Sequence, residues 1–267
     1  MKEINIEELK NIQLEILLHV DKFCKKHNIR YFLCAGTLLG AIRHKGYIPW
    51  DDDIDIMLFR EDYNRLIDSF LESDNGQYRL HTYKKEKEFP YPFVKIDDSR
   101  TSLRETVEGD FEMGVNIDVF PIDTVPQNGL LQKLFYTKCG IVLNALMLKR
   151  ISLQFDRGLL KNFIIKIFHR IFKGISCYYF VRTLDRLAQS YSQKKSEYCG
   201  LACWGYGMRE MNLRSNFDEV IYVSFEGHSL PAPKGYNNYL SAVYGDYMQM
   251  PPEDKRVTHH AFEAFWK

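Results

Sequence analysis

Asp51, Asp52, Asp53 and Asp55 crowd four carboxylates into five positions of the stretch GYIPWDDDIDIMLF, residues 46–59. An apolar run, Ile54 to Phe59, follows with only Asp55 interrupting it. Side chains alternate faces along a strand. If 51–58 is extended, Asp51, Asp53 and Asp55 share one face, and Asp52, Ile54, Ile56 and Leu58 share the other. The apolar set then anchors the strand in a core while Asp53 and Asp55 stand side by side. Two carboxylates that close both stay ionised readily only beside a cation. Hard carboxylate oxygens suit Mg²⁺ or Mn²⁺, ions that also take substrate phosphates. A solvated acidic turn accounts well for Asp51 and Asp52. It fits Asp53 and Asp55 poorly because their neighbours are apolar, so these two are the expected metal ligands. Asp118, inside the apolar VNIDVF (115–120), is the expected third. A lone buried Asp is costly unless it is paired or metal-bound. Its alternative is a structural role, bonded to backbone or to a Lys or Arg. Asp123 follows Pro121 and reads as a turn residue.

The other half of such a site must bind phosphate. AGTLLG (35–40) lies about fifteen residues before the acidic pair. A glycine turn opening a helix offers backbone N–H groups to an anion, with Gly36 allowing close approach and the Thr37 hydroxyl free to donate. Arg43, His44 and Lys45 follow that helix, and Lys95 lies in FVKID, where it can pair with Asp118 or with a phosphate. Surface charge is the competing account of each. His259 and His260 are weaker candidates.

The elements that must hold these groups are legible from periodicity. Ile6, Leu9, Ile12, Ile16, Val20 and Phe23 recur at helical spacing, so 6–27 is predicted helical, with Asn5 and Glu8 as a capping box. Strands are predicted over 31–36, 53–59, 78–83, 91–97, 101–106 and 114–123, the last stopped by Pro121, with a helix over 37–44 and another after 59. From about 128 to 195 the pattern is helical and basic, with Leu160, Phe163, Ile164, Ile167, Phe168, Ile171 and Phe172 expected on one face. The mixture predicts an α+β fold: a catalytic core over 1–127, a basic helical region over 128–200, and a loop-rich segment over 201–267 that packs on the core.

Net charge is +1, which implies no nucleic-acid partner. Between Leu131 and Lys195, however, thirteen Lys or Arg face two Asp, about +11. Such a block either solvates helices packed on the core or contacts the anionic face of a membrane peripherally. The six cysteines form no CxxC and read as reduced, hence cytoplasmic. Zinc at Cys199 and Cys203 lacks a convincing second pair. The N-terminus MKEINIEELK has no apolar core of a signal peptide.

The phosphate turn one helix upstream of DxD resembles the pattern of the nucleotidyltransferase superfold. The longer block, Gly36 to Leu58, resembles the signature of the LicD family of phosphotransferases, of which fukutin-related proteins are more distant relatives. VKIDDSRT (94–101), GVNIDVFPID (114–123) and PKGYNNYLSAVYGDYMQMPPEDKR (233–256) extend the resemblance over most of the chain, with no departure at Gly36, Thr37, Asp53, Asp55 or Asp118. The resemblance implies a nucleotidyltransferase-like mixed sheet with flanking helices. It further implies transfer of phosphocholine from CDP-choline to a sugar hydroxyl of a cell-surface glycan precursor, of teichoic acid type and lipid-linked or free, with release of CMP. Relatives use CDP-ribitol or other CDP-activated alcohols. A nucleotidyltransferase using a nucleoside triphosphate shares the same motif. A choline cargo wants aromatic faces, and Trp50, Trp204, Tyr206, Tyr236 and Tyr239 are the candidates, two of them expected to form a cage.

Overall fold

The computed structural model describes residues 2–105, 111–151, 159–257 and 262–267. After a short strand, β1 (Lys2–Glu3), helix α1 runs Ile6–His27, the span its apolar spacing predicts. Asn5 Oδ1 accepts the Glu8 N–H at 2.9 Å. Acidic residues in the first turn and basic ones in the last complement the helix dipole.

Strand β2 (Phe32–Leu33) leads into α2 (Ala35–Arg43), then β3 (Asp55–Phe59) into α3 (Arg60–Glu72). Next come β4 (Tyr78–His81), β5 (Val94–Asp98), β6 (Thr101–Glu105) and β7 (Asn116–Thr124). The central mixed sheet has the order β2-β3-β7-β5-β4. Within that path β3 and β7 pair in parallel and the other pairs are antiparallel. Helices α4 (Gly129–Arg150), α5 (Leu159–Ile171) and α6 (Cys177–Ala188) follow, and then β8 (Tyr198–Leu201) extends the sheet beside the end of β7 and carries β9 (Asn212–Leu213). A hairpin, β10 (Val220–Phe225) and β11 (His228–Pro233), turns at Glu226 and Gly227 with both φ positive, as a two-residue hairpin loop requires. Helix α7 (Tyr236–Tyr244) and β12 (Phe262–Trp266) complete the chain, β12 lying between β1 and β6 in a second sheet. These helices and this mixed sheet make the α+β architecture that the sequence predicts.

Four local expectations need correction. Strand β3 begins at Asp55, not 53, and 51–54 is irregular; Asp52 is buried, against the solvated turn expected for it, and Asp51 and Asp53 are half-buried. Strand β2 is shorter than predicted because α2 starts at Ala35. Pro121 does not stop β7. The Asp118 N–H donates to Ile54 on the β3 side. By alternation, position 121 would donate to the other side, where β5 pairing has ended at Val119 and β8 pairing starts at Ile122. A proline costs no ladder bond in such a gap. Finally, α5 does not bury the face that its sequence suggests: Ile165 is buried and Phe168 stacks on Phe172, whereas Phe163, Ile164, Ile167 and Ile171 point outward.

One large core joins α1, β2, β3, β5 and β7 with Phe217, Phe225 and Tyr239 from the C-terminal segment. The helices carry smaller clusters, one around Phe135, Leu184 and Cys203, another around Leu146, Phe180 and Val181. A buried ion network ties these layers together. Arg60, at the start of α3, grips Asp123 of β7 through two bonds of 2.8 and 2.6 Å and Asp185 of α6 at 2.8 Å. Asp123 is therefore a strand residue with a structural partner, not a turn residue. Its two anionic neighbours hold the Arg60 guanidinium charged despite burial. Removing one partner of a buried ion pair strands the other. Asp123→Ala is expected to cost about 3–5 kcal/mol of unfolding free energy, read as a lower urea midpoint. An unchanged midpoint would show that the network is not a structural tie.

Candidate active site

Strand register, rather than the acidic run alone, assembles the site. In the parallel pair β3–β7, Asp55 lies opposite Asp118; in the antiparallel pair β5–β7, Lys95 lies opposite Asp118. Residues in register point to the same face. Asp55, Asp118 and Lys95 thus form one row across three strands. Lys95 Nζ bonds Asp118 Oδ1 at 2.5 Å and Asn116 Oδ1 at 3.1 Å. Just before β3, Asp51, Asp52 and Asp53 bring one carboxylate oxygen each within 4.8 Å of the others. The charges of Asp53, Asp118 and Asp51 all act on Asp55. Burial and these three anions push the Asp55 carboxyl well above the usual carboxylate range, with Lys95 pulling the other way. A divalent cation suits the chemistry of such a place: hard oxygen donors clustered together, with Lys95 offsetting part of their charge.

The phosphate turn is also at this spot, but its parts are already engaged. The Asp55 backbone N–H donates to the Thr37 hydroxyl at 2.8 Å, so buried Thr37 locks the helix to the start of β3. Gly36 permits a close approach of the kind expected, and the group that approaches is Asp51: a Cβ on Gly36 would stand 2.5 Å from Asp51 Oδ2. A carboxylate at the first turn of a helix is favourable, and it marks where an anion is accepted. Ala35, at that same turn, adopts φ 44 and donates its N–H to the Tyr239 hydroxyl at 3.3 Å.

The basic candidates divide. Lys95 belongs to the row. Arg43 donates to the carbonyls of Tyr247 and Gln249 at 2.8 and 3.3 Å, and its Nε faces His44 at 2.9 Å. His44 packs edge-on to Trp50, and the Arg256 guanidinium lies 5.8 Å from the Trp50 ring centre. Burial and Arg43 both push the His44 imidazole down, so it stays neutral more readily. These residues form a second group that ties α2 to the C-terminal loop. His259 and His260 lie outside the described residues.

The aromatic candidates divide as well. Trp204 packs edge-on against Phe93 and Tyr91, whose faces already carry cations: Lys95 lies 4.7 Å and Arg150 4.2 Å from the Tyr91 centre. Tyr239 is wholly buried and offers no face. Tyr236, at the start of α7, is half-buried against the core. Tyr206 is 54% exposed and pairs with Tyr244, ring centres 5.6 Å apart. The charges of Asp55 and Asp51 reach the Tyr206 phenol, and those of Asp55 and Glu210 reach Tyr244.

Glu210 is the main group that the sequence does not disclose. It is buried under Tyr206, accepting the Tyr206 N–H at 3.2 Å and the Tyr239 hydroxyl at 3.4 Å. Gly205, at φ 88, makes room for it, since a Cβ there would lie 2.5 Å from Glu210 Oε1. The only signal was an acid in a Gly- and aromatic-rich stretch without periodicity. Asp97 was also missed; it holds Arg79 and His81 and accepts the Gly114 N–H, which fixes the entry to β7. Burial pushes the Glu210 carboxyl up to about 7 from an ordinary 4.5. Below pH 4.5 both folded and unfolded chains hold this proton. Between 4.5 and 7 the unfolded chain releases it first, so stability falls as pH rises through that window, by about 3 kcal/mol in all. Glu210→Gln should lose this slope. Urea unfolding of both proteins from pH 4 to 8 tests it, and parallel curves would refute the burial account.

A family profile described as "LicD/FKTN/FKRP, nucleotidyltransferase domain" matches residues 28–138. The chain is 33% identical over 270 residues to the lipopolysaccharide cholinephosphotransferase LicD of Haemophilus influenzae, covering 99% of each. It is 28% identical over 112 residues to the human ribitol 5-phosphate transferase FKRP, covering 39% of this chain and 19% of that protein. An uncharacterized protein of Rickettsia typhi is 43% identical over 63 residues, 23% of this chain. Identity at that level along the whole chain settles the relationship: this protein belongs to the LicD family.

Proposed function

We propose that this protein transfers phosphocholine from CDP-choline to a sugar hydroxyl of a cell-surface glycan precursor, releasing CMP. The observation that carries the proposal is the row of Asp55, Asp118 and Lys95 beside the Asp51–Asp53 carboxylates. The name of the Haemophilus relative supports choline as cargo. In this scheme Asp53 and Asp55 would hold Mg²⁺ or Mn²⁺, with Asp118 as third ligand or as acceptor of the hydroxyl proton. A bound divalent ion would neutralise charge on the donor phosphates. Lys95 fixes the Asp118 carboxylate in either role. Thr37 holds the start of β3 against α2, so the first-turn amides of α2 and the acids keep one geometry while the diphosphate binds. The acceptor hydroxyl attacks the phosphorus that bears the alcohol, and the P–O bond to CMP breaks.

The choline headgroup sits against Tyr206 and Tyr244. Their paired rings near Asp51 and Asp55 offer π-faces to a quaternary ammonium, and Glu210 supports Tyr206 from beneath by accepting its N–H. Tyr206 comes from the sequence-derived set; Tyr244 does not. The acceptor is of teichoic acid type, and the name of the Haemophilus relative makes lipopolysaccharide the alternative.

Wild type with CDP-choline, CDP-ribitol or CDP-glycerol and Mg²⁺ should release CMP fastest from CDP-choline. Asp53→Asn and Asp55→Asn should each lose about 10³-fold, the scale of removing one preorganised charge-stabilising group. Asp51→Asn should lose less; an equal loss would move the metal toward the 51–53 cluster. Tyr206→Ala should raise KM for CDP-choline more than for CDP-glycerol. CMP from none of the three donors defeats the proposal, and pyrophosphate from a nucleoside triphosphate would replace it with nucleotidyl transfer.

A further inference from the structure

Among the described residues the outward face of α5 has no partner. The helix is anchored by Ile165, by the Phe168–Phe172 stack at 4.3 Å, and by Phe172 against Phe180 at 5.8 Å. On another side, Phe163, Ile164, Ile167 and Ile171 are 60, 53, 43 and 68% exposed. At 3.6 residues per turn these four fall within about a 100° arc. Lys166 and Arg170 are exposed and occupy the adjoining arc, exposed Lys173 follows in the turn after the helix, and exposed Lys161 lies beyond the other edge. No acidic residue lies in α5. A surface helix normally turns one apolar face inward and a polar face to water. Here a second apolar face is turned out and edged with cations.

We propose that this face docks on the surface of an anionic phospholipid bilayer, with α5 lying in the interfacial plane, its apolar stripe among the acyl-chain ends and its basic edge at the phosphates. Two observations favour lipid over a second copy of this chain. Self-docking would bring Lys166, Arg170 and Lys173 toward their own copies, like charge against like. The surrounding segment from Leu131 to Lys195 is also about +11, thirteen Lys or Arg against two Asp, a field that complements a negative surface over a wider area than one helix. Among the described residues no helix is long and apolar enough to cross a membrane, so the contact is peripheral. It is independent of the phosphotransfer proposed above.

Flotation of the full chain with vesicles of phosphatidylcholine, alone or with phosphatidylglycerol added, tests the proposal. Wild type should float with the anionic vesicles at least about tenfold more than with the zwitterionic ones, and less as salt screens the basic edge. Ile167→Asp with Ile171→Asp, and separately Lys166→Glu with Arg170→Glu, should each abolish flotation while leaving the urea midpoint unchanged, since all four side chains are exposed. Absence of flotation, equal flotation with both vesicles, or flotation that neither variant weakens would overturn it. So would a wild-type dimer that Ile167→Asp with Ile171→Asp disperses, without vesicle binding.

Discussion

Repulsion between the buried Asp55 carboxylate and its half-buried acidic neighbours is the constraint on which the rest of this structure depends. Asp51, Asp53 and Asp118 all act on Asp55, in a place where burial already penalises charge. Left to themselves such groups would separate or take up protons. The fold prevents separation by mounting them on one sheet. Asp55 and Asp118 are fixed by the β3–β7 register, Thr37 fastens the start of β3 to α2, and Gly36 lets Asp51 close on the helix. Lys95 is the one cation inside the row, and it offsets part of the charge.

The scaffold around this centre uses charge differently. Arg60, Asp123 and Asp185 form a closed set, in which each member satisfies the others and joins α3, β7 and α6. Asp97 likewise serves Arg79, His81 and the Gly114 amide. Asp123 and Asp97 each meet an arginine head-on, whereas Asp118 meets Lys95.

Asp55, Asp118 and Lys95 were legible in the sequence because each interrupts an otherwise apolar run, and helix α1 was legible in full because its period is long and unbroken. Asp52 is not the solvated turn residue that a run of acids suggests: it lies on the buried side, and Gln13 donates to its carbonyl within the core. Pro121 was misread because a missing N–H matters only where a neighbouring strand would have used it. Glu210 was invisible, since its burial is produced by Tyr206, Tyr239 and Gly205 in three dimensions and by no period in one. For α5 the periodicity found apolar faces but could not say which one turns inward, because both are apolar. Facing is decided by Phe180 and the other residues that the helix meets, not by the helix itself.

The parallel pairing of β3 with β7 has a consequence for how the protein comes to be active. Parallel strands cannot be joined by a tight turn, and Asp55 and Asp118 are 63 positions apart, the separation that also divides Arg60 from Asp123. Closing so long a loop costs chain entropy before any contact rewards it. The two acids also repel until Lys95 stands beside them. A nascent or partly folded chain therefore holds Asp55 and Asp118 apart, and the row they form with Lys95 exists only in the finished sheet.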